Sequence, residues 1–275
     1  MIKKIQGILR KKAPAIVVSY KAIGAWLKRP QKKLSSHDCI DCFKNIPICT
    51  PEIYDAIFNK LNSQEEVKFI QIGANDGKTH DPIHAFVSPS KKWQGIVVEP
   101  VEYIFNLLLK NYENRSDLIF ENVAISDSNK DKKFFYVSNE AVKQIKGLKN
   151  NYNGVNGFSY DHIVRHFGEK IKPFIKEQVM RTITLNTLLR RNNIQSLDIL
   201  LIDVEGHEYS ILKQLNFSEI KPKVILIEHQ NASYKNTFKM ILKLKPHYTI
   251  FRSGGDLMAI IPSFTPLLNS ERNRK

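Results

Sequence analysis

The stretch VKFIQIGANDGK, residues 67–78, joins a short β-prone run to a turn bounded by Gly73 and Gly77. An apolar-periodic segment, 83–87, follows, so the pattern predicts a strand, a tight loop and a helix. The two glycines permit unusual backbone angles and let a ligand approach without interference from a Cβ atom. The loop amides and the start of the following helix would face that ligand.

A second predicted strand, Gly95 to Val98, ends in Glu99 and Pro100. An acidic residue that closes the second strand, about 20 residues after the glycine loop, is placed to accept two hydrogen bonds from a ribose diol. The loop and Glu99 together therefore predict the nucleoside-binding half of a doubly wound α/β domain.

Polar residues close several of the apolar strands that the rest of the sequence predicts. The first of these segments, 117–126, is a strand that runs into a loop. The other strands cover residues 133–137, 179–184, 197–203, 223–229, 248–252 and 257–261, and Gly254-Gly255-Asp256 is the hairpin turn between the last two. In parallel sheets ligands bind beyond the carboxyl ends of the strands. The residues expected there are the Gly73–Gly77 loop, Glu99, Asn122 to Ser126, Asp203 with Glu205 and His207, and Glu228 with His229.

Composition divides the chain into one α/β domain and the segments that flank it. The predicted parts are a basic N-terminal arm (1–34), a linker with a helix at 51–61 (35–66), an α/β domain (67–265) and a tail (266–275). Residues 138–178 interrupt the strand–helix rhythm. They carry a turn-rich run and a helix at 161–167, so they are either a substrate lid or an ordinary surface excursion.

The positive charge of the chain is concentrated in the arm. The net charge is +15, and residues 1–34 hold ten Lys and Arg without an acidic residue, which leaves +5 for the remainder. A value of that size does not indicate a nucleic-acid surface on the folded domain. We therefore expect no nucleic-acid partner.

The apolar run in the arm, 13–27, is too short and too broken to span a bilayer, and the clear apolar stretch and cleavage site of a signal peptide are missing. Two interpretations remain open. The arm is a solvated basic tail, or it is a helix that lies on anionic lipid with Trp26 at the interface. The expected location is cytoplasmic, with peripheral contact at the inner face of the membrane as the second interpretation.

Three cysteines do not suggest a disulfide framework and favour a reducing compartment. Cys39, Cys42 and Cys49 lie close to His37 and could form a Cys3His zinc site. The spacing is too tight for the usual two-knuckle arrangement, so reduced thiols are favoured and no metal ligand is predicted.

Five motifs resemble the FkbM family of S-adenosylmethionine-dependent methyltransferases, over about residues 65–262. They are IGANDG (72–77), VEP (98–100), NVAIS (122–126), IDVEGHE (202–208) and ILIE (225–228). The DVEGHE element, which begins at Asp203, is the most specific of them. Two positions depart from the usual family pattern, because Leu201 stands in place of Lys and Asn186 in place of Asp.

The resemblance implies a seven-stranded, mostly parallel Rossmann-like sheet with a C-terminal antiparallel hairpin. It also implies O-methyl transfer to a hydroxyl of a small molecule, a sugar, a glycan or another natural product. By similarity, the loop that includes Asp76 holds the cofactor, with Gly73, Ala74, Asn75 and Gly77 at its methionine part. Glu99 then holds the ribose, and Ala124 with Ile125 holds the adenine.

A hydroxyl nucleophile must lose a proton, and the candidate bases are Asp203, Glu205, His207 and His229. Histidine has a suitable ordinary pKa of ~6.5. A divalent cation held by Asp203, Glu205 and Glu228 is the less favoured alternative.

Two other functions are weighed against methyl transfer. A nicotinamide-dependent oxidoreductase is disfavoured because the loop lacks the Gly-x-Gly-x-x-Gly pattern. A non-catalytic nucleoside-binding scaffold docked on a membrane is the other alternative, and the intact Asp203 and Glu99 argue against it.

Overall fold

A computed structural model describes residues 43, 45–145, 148 and 154–264 of the chain. The fold is α/β. Its strands are β1 (Val67–Ile72), β2 (Trp93–Val98), β3 (Ile119–Glu121), β4 (Ala124–Ser126), β5 (Asp131–Val137), β6 (Ile175–Thr184), β7 (Ile199–Ile202), β8 (Val224–Glu228), β9 (Thr249–Ser253) and β10 (Asp256–Ile260). Its helices are α1 (Pro51–Asn62), α2 (His84–Val87), α3 (Glu102–Asn111), α4 (Glu140–Gln144), α5 (Tyr160–Phe167), α6 (Leu185–Arg191), α7 (Glu208–Leu212) and α8 (Tyr234–Leu244), with 3-10 turns at Glu169–Phe174 and Pro262–Phe264.

Seven strands form the main sheet in the order β3-β2-β1-β7-β8-β10-β9. The first five are parallel, and β10 pairs antiparallel with both β8 and β9. This confirms the predicted Rossmann-like sheet and its C-terminal antiparallel hairpin. The strand order reverses between β1 and β7, which places the ligand-binding crevice at the carboxyl ends of these two strands.

Apolar side chains cover both faces of the main sheet, as a buried parallel sheet requires. Helices α1, α2 and α3 pack on one face, where Phe58 and Leu108 are fully buried. Helices α6, α7 and α8 pack on the other face, together with Ile70 and Ile72 of β1. Thr50 caps α1 by accepting a hydrogen bond from the Ile53 amide, and Pro51 occupies the first helical turn, where its missing N–H is tolerated.

A second sheet, in the order β4-β6-β5, stands beside the first. The segment 117–126, expected as a strand that runs into a loop, forms β3 in the main sheet and then β4 in the second sheet. Between them the Asn122 side chain donates to the carbonyl oxygens of Glu99 and Pro100. The segment expected at 133–137 is β5, and it pairs antiparallel with β6 on the far side of the inserted segment.

Several sequence predictions lie outside the described residues. The basic arm (1–34), the proposed metal ligands His37, Cys39 and Cys42, and the tail (266–275) belong to this group. Cys49 is described, and its buried thiol lies against the sulfur of Met258. Within the described part of the chain, every helix is too short or too polar to cross a membrane.

Candidate active site

A cavity of about 690 Å³ opens at the carboxyl edge of the main sheet, at the switch between β1 and β7. That volume lies in the range of small-molecule sites, roughly 300–1,000 Å³. Eight of the twelve residues predicted to bind the cofactor or to act as bases line it: Gly73, Ala74, Asn75, Glu99, Ala124, Ile125, Asp203 and Glu205. Four others, Asp76, Gly77, His207 and His229, are not among its lining residues.

The glycine loop is shaped by packing as well as by access to the cavity. A Cβ atom on Gly73 would lie 1.7 Å from the carbonyl oxygen of Asp203, so this glycine lets the loops after β1 and β7 approach each other. A Cβ atom on Gly77 would meet Leu108 at 2.3 Å. Asp76 accepts hydrogen bonds from the Lys78 and Thr79 amides. Asp76 and Gly77 therefore fix the loop from outside the cavity.

Glu99 ends β2 with its carboxylate held at both oxygens. Oε2 accepts a hydrogen bond from the Asn75 amide at 3.0 Å, and Oε1 accepts one from the Val101 amide at 2.9 Å. Each carboxylate oxygen has capacity for a further hydrogen bond, so the group can still receive the two hydroxyls of a ribose. Burial raises the pKa of Glu99 to about 7.

The cavity wall beyond Glu99 fits the base of a nucleoside. Ala124 and Ile125 lie there as predicted. Phe134 and Phe158, whose rings are 5.2 Å apart in an edge-to-face arrangement, line the same wall. This apolar and aromatic surface suits a flat heterocycle. The Asn75 side-chain oxygen, which has no hydrogen-bond partner among the described residues, adds an acceptor in the glycine loop. The residues present therefore fit an S-adenosyl group.

The loop after β7 is held in an unusual backbone conformation. Glu205 has φ of 56° and Gly206 has φ of 104°. Glu208, at 0% exposure, accepts hydrogen bonds from the Gly206 amide at 2.7 Å and the Val204 amide at 3.3 Å. Burial raises the pKa of Glu208 to about 7. The last acidic residue of the DVEGHE motif therefore holds the loop, while Glu205 reaches the cavity.

Two residues that the sequence did not single out hold the carboxylate of Glu205. His162 Nε2, on α5 of the inserted segment, lies 2.9 Å from Glu205 Oε2. Asn231 Nδ2 donates to Glu205 Oε2 at 2.6 Å and to Glu228 Oε1 at 2.8 Å. The inserted segment thus contacts the site through α5, which the sequence predicted as a helix that carries His162. No local spacing distinguished that histidine from its neighbours.

Three carboxyl groups of the site lie close enough to share a cation. Oxygen atoms of Asp203, Glu205 and Glu228 lie within 4.8 Å of one another. Carboxylate oxygens are the ligands that hard divalent cations prefer. The Asn231 amide already donates to two of the three groups, so a cation there would compete with it.

Neither His207 nor His229 lines the cavity. His207 Nε2 lies 3.0 Å from the hydroxyl of Ser126, and its ring packs on Phe158 at 4.9 Å. His229 packs edge-on against Phe43 at 4.8 Å. Burial lowers the pKa of each histidine to about 4, so both rings are neutral at neutral pH. The catalytic roles predicted for them remain predictions.

Three of the solved structures that match the chain are two methyltransferases and an RNA-processing protein. An O-methyltransferase from Bacillus cereus, solved with SAH, is 12% identical with a TM-score of 0.40, and the match covers 83% of this chain and 92% of that chain. A precorrin-6y C5,15-methyltransferase from Geobacter metallireducens is 12% identical, with a TM-score of 0.36 and coverage of 78% and 88%. The Methanococcus jannaschii fibrillarin pre-rRNA processing protein is 14% identical, with a TM-score of 0.36 and coverage of 72% and 67%.

No curated protein matches the chain significantly. The family model of the methyltransferase FkbM domain matches residues 71–260, which is most of the chain and includes all five motifs. This match confirms the resemblance and favours methyl transfer over the oxidoreductase and scaffold alternatives. The chain therefore belongs to the FkbM methyltransferase family and is an S-adenosylmethionine-dependent methyltransferase.

Proposed function

We propose that the enzyme methylates a hydroxyl group of a polyhydroxylated acceptor, such as a sugar, a glycan or a hydroxylated natural product. One observation carries this proposal: the carboxyl groups of Asp203 and Glu205 line the cavity beside the cofactor residues, and Glu205 is paired with a buried histidine. Carboxylates accept hydrogen bonds from hydroxyl groups and can receive their protons.

The residues of the chain hold and align the reactants. Glu99 binds the ribose, and the loop from Gly73 to Asn75 contacts the methionine part of the cofactor. When bound, S-adenosylmethionine supplies a methyl group on a sulfonium, whose transfer to oxygen breaks the S–C bond, forms a C–O bond and leaves a neutral thioether. Asp203 orients the acceptor hydroxyl, because it directly follows β7 and lies next to Gly73 at the strand switch. Alignment of this kind is the main contribution that the protein makes when the methyl group is already activated.

Glu205 receives the hydroxyl proton in this mechanism. His162 and Asn231 hold its Oε2 atom, which fixes the direction of the carboxylate in the cavity. His162 shares the proton as the reaction proceeds. His207 and His229 are less suited to this role, because they lie outside the lining of the cavity and burial keeps the pKa of each low.

The test is product analysis with a panel of hydroxyl-bearing acceptors and S-adenosylmethionine. We expect a new O–CH3 signal by NMR, and we expect Glu205→Gln to lower turnover by about 100-fold or more, the scale of a positioned acid–base group. His162→Asn should give a smaller loss and should shift the pH profile of kcat. Arg165→Gln is the matched control, since Arg165 lies on the same helix and its Nε atom donates to the Asp161 carbonyl oxygen. A methyl group found on nitrogen or carbon, or wild-type turnover by Glu205→Gln, would overturn the proposal.

We also propose, from the sequence of the arm, that residues 1–34 keep the enzyme at the cytoplasmic face of an anionic membrane. Their ten Lys and Arg residues without an acidic partner support this. Removal of the arm should leave cofactor binding intact and lower co-sedimentation with anionic vesicles. Equal sedimentation of the full and shortened proteins would contradict this role.

A further inference from the structure

The described lining of the cavity contains six carboxyl groups but neither lysine nor arginine. The six belong to Asp81, Glu99, Asp203, Glu205, Glu228 and Asp256. Outside the basic arm the chain carries a net charge of +5, so the acidic cavity is opposite in sign to the rest of the chain that includes it. An excess of one charge in a low-dielectric cleft selects ligands of the other sign.

Three of these groups form a row across neighbouring strands. Leu201 of β7 pairs with Leu226 of β8, and Leu226 pairs with Met258 of β10. Side chains alternate between faces along a strand, so the residues two positions nearer the edge lie on the same face of the sheet. Those residues are Asp203, Glu228 and Asp256, and Glu228 lies directly opposite Asp256. Glu228 and Asp256 are 1% and 6% exposed. We name these three residues the carboxylate row.

An unpartnered acceptor lies on the same face, at the floor of the cavity. Gln71 of β1 pairs with Leu201, and it is 5% exposed. Its Nε2 atom donates to Asp81 Oδ2 at 3.0 Å, which fixes the amide, while its Oε1 atom has no hydrogen-bond partner among the described residues. The side-chain oxygen of Gln230, which also lines the cavity, is likewise buried without a hydrogen-bond partner among the described residues. Buried acceptors left without donors are costly, so a bound ligand should supply the donors.

We propose that the acceptor carries a protonated amine, which the carboxylate row binds, and that the substrate class is therefore an amino-bearing polyol such as an amino sugar. This inference rests on the proposed function, because it concerns the acceptor of that same site. An ammonium group offers three donors and a positive charge, which match the row and the orphaned amide oxygens. The same charge pattern rejects acceptors that bear phosphate or carboxylate groups, since like charges at close range are strongly unfavourable.

The ammonium of the cofactor's own methionine part has the same chemistry and is the alternative source. The experiment separates the two. Binding is measured by calorimetry at neutral pH on the full chain saturated with S-adenosylhomocysteine, with glucosamine, galactosamine and mannosamine, each against its N-acetyl form. We expect the free amines to bind about tenfold or more tightly than the acetylated forms. Equal or weaker binding of the free amines, or saturable binding by neither form, would overturn the proposal.

Asp256→Asn identifies the group that the row binds. We expect this variant to lose most of the preference for free amines while its dissociation constant for S-adenosylhomocysteine stays unchanged. Weakened S-adenosylhomocysteine binding would assign the row to the cofactor and overturn the proposal. Asp198→Asn, which removes the same charge at the opposite end of β7, is the control. Because these measurements need no turnover, they can fail while O-methylation stands, and product analysis can fail while amine binding stands.

Discussion

Acidic side chains have opposite surroundings at the two ends of the parallel strands. At the amino edge, just before β7, Asp198 Oδ2 accepts the Lys68 amide at 2.7 Å and Oδ1 pairs with the ammonium of Lys223 at 2.6 Å. At the carboxyl edge, Glu228 is buried among other acidic groups. Burial first, and then the carboxylates of Asp203 and Glu205, raise the pKa of Glu228 well above its ordinary value.

This difference separates acidic residues that stabilise the fold from acidic residues that we propose bind a ligand. A carboxylate paired with a partly exposed lysine, as Asp198 is with Lys223, stabilises the sheet slightly. A buried carboxylate among like charges destabilises the folded state unless something of opposite charge binds to it. The carboxyl edge therefore gives up stability, as sites of binding and catalysis commonly do.

The largest effect is expected for Asp203→Asn at the carboxyl edge. Asparagine keeps the shape of the side chain and removes the charge, so the variant should fold normally and lose about two orders of magnitude in turnover. Turnover and melting temperature are measured together, with Asp198→Asn as the control at the amino edge. If Asp203→Asn works at the wild-type rate, Asp203 only shapes the loop before α7, and the comparison between the two edges loses its functional meaning.

Glu99→Ala should have the next largest effect, on cofactor binding. In the proposed mechanism Glu99 accepts two hydrogen bonds from the ribose, so their loss should weaken binding of S-adenosylhomocysteine by about 1–3 kcal/mol. Calorimetry measures this, with Glu102→Ala in the first turn of α3 as a nearby control. A folded Glu99→Ala variant with an unchanged dissociation constant would remove the ribose assignment.

Much of this carboxyl edge could be predicted from the sequence, because its residues follow local patterns. Apolar runs that end in polar residues predicted the strands, and Gly73 and Glu99 lie in the cavity at the expected spacing. The sequence predicted a strand that runs into a loop over 117–126 and missed β4, because the Asn122 side chain binds the backbone after β2 and the chain passes to the second sheet there. That contact joins residues far apart in sequence, so no local pattern encodes it.

The residues that complete the site come from distant parts of the chain. His162 reaches Glu205 from the inserted segment, and Asp256 reaches Glu228 through the antiparallel pairing of β10. The sequence analysis treated Asp256 as part of a hairpin turn, which describes its local position and not its neighbours. Helix α8 was also missed, although Ser233 caps it and Met240 and Leu244 give it an apolar face.

A smaller effect, on stability, is expected for Glu228→Gln. A carboxyl group whose pKa is raised on folding holds its proton more tightly in the folded state, so its contribution to stability is lost as pH rises above its ordinary pKa. Glutamine cannot ionise and escapes this loss. We expect the variant to melt about 2–4 °C above the wild type near about pH 8, the shift that ~1 kcal/mol gives a domain of this size.

Thermal melts at about pH 5 and about pH 8 test the sign of this effect. The gain in melting temperature should shrink at the lower pH, where Glu228 is protonated in the folded protein. A gain that is equal at both values would mean that the carboxyl group is not the cause. A saturating amine ligand that binds the carboxylate row should also reduce the gain, because it brings a positive charge next to Glu228.

The smallest effect is expected at the amino edge, for Asp198→Asn. Asparagine can still accept the Lys68 amide through its side-chain oxygen, so only the ion pair with Lys223 is lost. The Lys223 side chain is 36% exposed, and water and salt weaken such a pair. We expect a loss of stability below about 1 kcal/mol that becomes smaller in high salt, with turnover and cofactor binding unchanged.

Chemical denaturation at low and high salt, with a turnover assay on the same samples, measures both the stability and the activity of Asp198→Asn. A large loss of turnover would show that the charge at the amino edge acts on the site through the length of β7, and the two edges could then no longer be treated as independent.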